Sequence, residues 1–235
     1  MGKYKFVYTG CENLEAMAEA KKYNAFLTKL VTDTVEKKNS RILDFGAGSG
    51  TYADLMKEKN LPVDCVEPDA ILQKMLKKNG YKVHSDIAEV KSNTYDVIYT
   101  LNVLEHIEDD QASFKQLVGA LKPNGKLVVY LPAFQVLFST MDERVEHYRR
   151  YRKSRLRKFA DENKLKISTL HYCDPIGFFA ALAFKFVGSK DGVISPRSVK
   201  FYDTFIFPIS RIVETVTRPF FGKNVVLIAT KPGKK

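Results

Sequence analysis

Between residues 41 and 131, short apolar runs alternate with stretches whose apolar positions recur at helical spacing. RILDF (41–45), VDCVE (63–67), YKVH (81–84), YDVIYT (95–100) and KLVVYL (126–131) predict strands. TYADLMKEKN (51–60), AILQKMLKKNG (70–80, closed by Gly80) and DDQASFKQLVGAL (109–121) predict helices, and KPNG (122–125) a turn. Strands alternating with helices at this pitch imply a parallel, doubly wound sheet. A further helix is predicted over 13–38, ending at Asn39–Ser40.

After Leu131 the rhythm changes. Residues 132–153 hold no convincing strand. SRLRKFADENK (154–164) reads as a helix capped by Ser154, LKISTLHYC (165–173) as a strand, and NVVLIATK (224–231) as the final strand. The apolar, aromatic and irregular stretch 174–222 reads as a couple of helices over the sheet, with a substrate lid or membrane-facing surface kept open.

Charge separates the same two parts. Residues 1–131 carry 18 Lys+Arg and 18 Asp+Glu, whereas 132–235 carry 20 against 9, which is the whole net +11. RVEHYRRYRKSRLRK (144–158) alone has eight basic residues and one acidic. The two parts therefore face different demands. No signal peptide is visible, and PIGFFAALAF (175–184) is about half the length a membrane-spanning helix needs. Cys11, Cys65 and Cys173 lack metal-ligand spacing and read as reduced thiols, so a cytoplasmic protein is expected, with peripheral membrane contact through 175–222 left open.

The chemistry centres on ILDFGAGSG (42–50), a strand that breaks into glycines at alternate positions. A phosphate-cradling loop is excluded because no Gly-Lys-Ser/Thr follows. The dinucleotide fingerprint fits Gly46 and Gly48, but Gly50 comes one residue early and Thr51 takes the expected slot.

DFGAGSG resembles motif I of the class I S-adenosylmethionine-dependent methyltransferases. The resemblance runs in register over about residues 20–131 and more loosely to the C-terminus. VDCVEPD (63–69), HSDIAEV (84–90), YDVIYTLNVLEHIEDD (95–110) and LKPNGKLVVYLP (121–132) match the later motifs of the small-molecule branch often called type 11. The resemblance implies a Rossmann-like, mostly parallel seven-stranded sheet with an antiparallel last strand, an N-terminal helix and a C-terminal helical insertion. One methyltransferase domain over 1–235 is expected: a helical cap (1–38), a cofactor core (39–131), substrate-recognition insertions (132–222) and a last strand with tail (223–235).

S-adenosylmethionine, leaving as S-adenosylhomocysteine, is the implied cofactor. Asp44, Gly46, Ala47, Gly48 and Gly50 belong to its loop; bare backbone there lets the methionine moiety approach. Glu67, followed by Pro68, is placed to accept from both ribose hydroxyls, and Asp86 to bond the adenine amino group with Ile87 lining the ring. Leu101 and Asn102 are expected to border the adenosine and methionine, and Tyr23 to close over them.

Two histidines are candidates for a general base, His106 in LEHIED and His147 in MDERVEHYRRYRK. In some quinone-pathway O-methyltransferases a Glu-His pair binds a divalent metal with an acidic residue three positions before the Glu. Asn102 stands there in this chain, so no metal is expected. Tyr148, Arg149, Arg150 and Tyr151 form a candidate clamp for an anionic acceptor, the arginines by bidentate pairing.

The favoured reading is methyl transfer to a small or lipid-linked, anionic acceptor. A nucleic-acid or protein methyltransferase using the basic half is the alternative. LNVLEH lacks the Asn/Asp-Pro-Pro-aromatic motif of base-amino methylation, and no RNA-binding module is visible, which argues against nucleic acid. A non-catalytic membrane or protein adaptor on this fold is the third class. Neither the acceptor nor the methylated atom (oxygen, nitrogen or carbon) follows from the residues.

Overall fold

The computed structural model describes residues 19–187 and 195–233. A helix α1 (Lys21–Thr32) precedes alternating strands and helices: β1 (Ile42–Phe45), α2 (Thr51–Lys57), β2 (Val63–Val66), α3 (Ala70–Lys78), β3 (Lys82–His84), β4 (Tyr95–Leu101), α4 (Asp110–Ala120) and β5 (Leu121–Pro132). Then follow α5 (Thr140–Arg144), α6 (Lys153–Glu162), β6 (Lys166–Cys173), α7 (Pro175–Val187), α8 (Pro196–Phe201), a π-helical turn (Tyr202–Ile206), α9 (Phe207–Thr217) and β7 (Asn224–Thr230).

The seven strands form one sheet in the order β3-β2-β1-β4-β5-β7-β6. Pairing is parallel from β3 to β5, and β7 runs antiparallel between β5 and β6. This is the expected doubly wound sheet with an antiparallel last strand. Strand order reverses between β1 and β4, and the carboxyl ends of strands flanking such a switch open a crevice for ligands.

Successive residues of the central strands enter opposite layers. Leu43, Ile98, Leu127, Val129 and Leu227 pack with Phe114, Leu117 and Phe159 on one side. Ile42, Val97, Val128, Tyr130 and Val226 pack with Leu27, Val31, Met56 and Phe207 on the other. Burial on both faces explains why β1 and β4 read as apolar runs and not as alternating patterns.

Several boundaries differ from the sequence reading. Helix α1 ends at Thr32, short of Asn39, and residues 13–18 lie outside the described residues, as does Cys11. Cys65 and Cys173 are buried free thiols. Ser154 lies inside α6, whose N-cap is Arg152 with no side-chain cap bond. The KPNG turn is a bulge within β5, where the pairing with β4 jumps from Tyr95–Leu121 to Val97–Lys126.

Segments far apart in sequence are tied together by carboxylates at helix N-termini. Asp203 accepts the backbone N–H groups of Lys22 and Tyr23 at 2.9 and 2.8 Å, capping α1 from far along the sequence. Asp174 accepts from Gly177 N–H, from the Tyr202 hydroxyl and from Ser210 Oγ at the start of α7. These satisfy donors that a helix start leaves unpaired and suit its positive end.

Candidate active site

A cavity of about 510 Å³ opens at the switch point, within the usual range for a small-molecule site. Tyr23, Asp44, Gly46, Ala47, Gly48, Glu67, Pro68, Asp86, Ile87, Leu101 and Asn102 all line it. Gly50 does not; it starts α2 at φ +91°, and a Cβ there would meet Leu76 at 2.9 Å, so its glycine serves the turn.

Gly46 shows why the loop is bare. Its φ is +82°, and a Cβ would stand 2.5 Å from both Val103 methyl groups. Its N–H and that of Ala47 donate to Val66 O across β2. Glu67 is buried behind the loop and accepts one backbone N–H on each oxygen, from Gly48 at 2.8 Å and Asp69 at 2.9 Å. Each oxygen keeps a further lone pair for a diol. Burial raises the Glu67 pKa. Asp44 is buried with Oδ2 lacking a hydrogen-bond partner. Burial, with the Glu67 charge adding and the Tyr99 hydroxyl opposing, pushes its carboxyl up to about 7. Asp86 stands at the rim, its Oδ1 capping the turn Ile87–Glu89 through Ala88 N–H at 2.7 Å. The Tyr23 hydroxyl accepts from Asn102 Nδ2 at 3.4 Å, and Asn102 takes a φ of +57°.

The other end of the cavity holds the acid–base groups. His106 and His147 both line it, their rings edge to face at 4.5 Å. Burial, then the neighbouring His147, lowers the His106 pKa to about 4, so it is neutral at pH 7. His147 Nδ1 lies 2.8 Å from Asp142 Oδ1, which also accepts Arg150 Nε at 2.8 Å, while Asp142 Oδ2 accepts Arg150 Nη2 at 2.9 Å and Ser139 N–H. Such a carboxylate fixes the imidazole tautomer with the proton on Nδ1 and leaves Nε2 as an acceptor. Nε2 stands 3.9 Å from Glu105 Oε1. Glu105 is wholly buried, and neither oxygen bonds to another residue. Burial pushes its carboxyl up to about 8 against its own N–H and the Arg150 charge. Ligand-type atoms of Glu105, His106 and His147 all lie within 4.8 Å of one another.

The HYRRY string is not a four-residue clamp. Tyr148 is exposed, and Arg149 donates to the carbonyls of Ile107 and Glu108 and pairs with Asp110 at 3.0 Å. Tyr151 is buried, its hydroxyl donating to Asp110 at 2.7 Å. These partners occupy the Arg149 and Tyr151 groups expected to hold an acceptor. Of the four only Arg150 reaches the cavity, where its buried Nη1 lacks a hydrogen-bond partner.

Residues missed in the sequence complete that end: Glu105, Met141, Val145, Lys223 and Asn224. Asn224 Oδ1 is a further buried polar atom without a hydrogen-bond partner, and burial lowers the Lys223 pKa. Glu105 adjoins a predicted histidine, and Ser139-x-x-Asp142 carries a helix-start signature that hides Asp142's second role. Nothing local marks Lys223 and Asn224, which arrive just before and at the start of β7.

Residues 16–170 match the family described as methyltransferase domain. The chain belongs to that family. Its cofactor is S-adenosylmethionine, and the residues fit it: a buried Asp44 carboxylate with one oxygen lacking a hydrogen-bond partner, a cradle at Gly46 that a Cβ would fill, and a buried Glu67 carboxylate with lone pairs left for a diol. Among curated relatives, the chain is 36% identical over 98 residues to a ubiquinone biosynthesis O-methyltransferase of Rickettsia felis, covering 37% of this chain and 39% of that one. It is 26% identical over 114 residues to the protein of that name from Xanthomonas axonopodis pv. citri, covering 44% and 48%. The chain thus spans less than half the length of these relatives. A methyltransferase structure from Archaeoglobus fulgidus shares the fold at TM-score 0.59 and 15% identity, covering 90% of this chain and 94% of that one. Phosphoethanolamine N-methyltransferase 2 of Haemonchus contortus, solved with S-adenosylmethionine, matches at 0.57 and 16%, covering 88% and 52%.

Proposed function

We propose that this chain methylates a hydroxyl group of a small or lipid-linked acceptor, with His147 as the base. The observation that carries the reading is the Arg150–Asp142–His147 chain, which ends at a cavity also lined by Asp44 and Glu67. S-adenosylmethionine, when bound, supplies an electrophilic methyl group on a sulfonium. The hydroxyl proton passes to His147 Nε2, and Asp142 stabilises the resulting imidazolium. Arg150 Nη1 and Lys223 offer positive charge to the developing alkoxide or phenoxide, and Asn224 Oδ1 offers an acceptor for a further donor on the substrate. Much of the remaining barrier reduction comes from position, about 7–11 kcal/mol for well-held reactants. The curated relatives named for ubiquinone biosynthesis support an oxygen acceptor with an apolar portion, which Leu101, Ile107, Met141 and Val145 suit.

A second reading rests on the clustered donors of Glu105, His106 and His147. A divalent cation there would ionise Glu105 and activate the acceptor oxygen directly. Chelation separates the two: base catalysis by His147 persists in EDTA, whereas cation catalysis stops and returns with added Mg²⁺ or Zn²⁺.

The deciding experiment mixes methyl-labelled S-adenosylmethionine, the protein and an extract of the source cells, then partitions the products. Label in the lipid or small-polar fraction, absent with His147→Ala, is expected. Label confined to protein or nucleic acid overturns the acceptor class, and no label overturns the transfer.

A further inference from the structure

α8, the π turn and α9 run without a break from Pro196 to Thr217, about 33 Å at helical rise. This element is inside out. Its buried stripe is Asp203, Phe207, Ser210 and Glu214, three of four polar. Its outward stripe is Phe201, Phe205, Ile209, Ile212 and Val216, between 52% and 74% exposed. Helices on globular surfaces place these stripes the other way round.

The inversion has a structural cause. The inward polar groups are committed: Asp203 caps α1, Ser210 Oγ accepts Ile176 N–H, and Glu214 accepts Asp174 N–H at 2.9 Å. Those bonds fix the rotation of the helix and hold the aliphatic stripe outward. An aligned apolar row of this length has the character of an interaction site and not of scattered surface residues.

Charge identifies the occupant. Among described residues 175–222 both carboxylates, Asp203 and Glu214, are buried, while Arg197, Lys200 and Arg218 are exposed. The charges exposed along this segment and at its end are therefore cationic, beside the apolar row. No helix of the described residues is long and apolar enough to cross a membrane.

We propose that this face docks on an anionic lipid bilayer, with the helix lying in the interfacial plane. Apolar side chains enter the acyl boundary and the basic groups meet the headgroups. Through residues 218–223 the same element leads directly to Lys223 and Asn224 in the cavity, so docking brings the site to a lipid surface. The inference does not depend on methyl transfer.

The test is flotation of the full chain with phosphatidylcholine vesicles, with and without 30% phosphatidylglycerol. Binding to the anionic vesicles is expected, and Ile212→Glu with Val216→Glu should weaken it at least about tenfold. Lys200→Glu should weaken it about fivefold or more. Ile212 and Val216 are 71% and 74% exposed, so the fold should survive, checked by thermal melting and S-adenosylmethionine binding. Unchanged flotation of the variants overturns the assignment of the face, and equal binding to neutral vesicles overturns its electrostatic part. A wild-type dimer in analytical ultracentrifugation that the two glutamates dissociate, without vesicle binding, assigns the face to a second copy and overturns the proposal.

Discussion

Glu105 is a buried carboxyl whose protonation the fold strongly favours, and Glu105→Gln tests this. The carboxyl titrates near 4.5 in an unfolded chain and at about 8 in its buried place. Because the fold favours the protonated form, the native state holds a proton that the unfolded state releases between these values. Stability therefore falls as pH rises through this window and levels off above it. From the two values, the penalty is about 1 kcal/mol at pH 5, about 3 at pH 7 and about 5 at pH 9. Glutamine fills the same volume and leaves an uncharged amide, so its own desolvation is constant with pH. Urea unfolding of both proteins, ligand-free and in EDTA, gives the difference at each pH. Relative to wild type, the variant should gain about 4 kcal/mol between pH 5 and pH 9. Parallel curves for the two proteins would refute the claim that burial outweighs the Arg150 charge and keeps Glu105 protonated. A gain in wild-type stability on adding Mg²⁺ or Zn²⁺, absent from the variant, would instead place a cation on the Glu105 cluster.

Three further outcomes follow from the cavity. His147→Ala should lower kcat by about 10²–10⁴-fold and leave the S-adenosylmethionine Kd unchanged; a change confined to acceptor KM would make His147 a binding residue. A pairing of Asp44 with the cofactor's ammonium would require its ionisation, so affinity measured calorimetrically should then weaken up to about tenfold per pH unit below 7, and Asp44→Asn should flatten the profile. A flat wild-type profile would remove Asp44 from that role. Glu67→Gln should weaken cofactor binding by about 1.5–3 kcal/mol, roughly 10- to 150-fold, and equal affinity would show that the diol is held elsewhere.

What the chain discloses about its fold depends on where burial and pattern agree. β1, β4 and β5 are covered on both faces, and such strands leave unbroken apolar runs that need no tertiary context to read. The glycine spacing is legible for a similar reason, since the positive φ and the 2.5 Å approach to Val103 are local demands on Gly46. α9 follows the opposite logic. Its apolar row faces out because Ser210 and Glu214, with Asp203 of the preceding π turn, are bonded inside, to groups on α1 and at the start of α7 that periodicity does not register. HYRRY fails as a local reading because its side chains diverge: Tyr148 to solvent, Arg149 and Tyr151 to Asp110, Arg150 to Asp142. Their partners lie on α4 and α5, so the string's function was set by contacts and not by its own composition.

Three carboxylates around one cavity show how environment alone divides labour. Asp142 is buried, which raises its pKa, yet the bonds from His147 and Arg150 overcome that and hold it at about 2. It is a permanent anion, suited to fix the His147 tautomer and to receive the charge of an imidazolium. Asp44 at about 7 has no cation among the described residues that lowers it, so a cationic ligand group would complete its ionisation. Glu105 at about 8 is mostly protonated at neutral pH and adds little repulsion to Asp142. Separated titrations of this kind mark sites that move protons, because groups of one chemical type then hold different protonation states at one pH. The separation also constrains the mechanism. An ionised Glu105 would place a buried negative charge 3.9 Å from His147 Nε2, a cost that a cation would relieve. A neutral Glu105 thus accords with turnover through His147, whereas an ionised Glu105 calls for a metal beside it, and the pH-dependent stability of Glu105→Gln distinguishes the two before any acceptor is known.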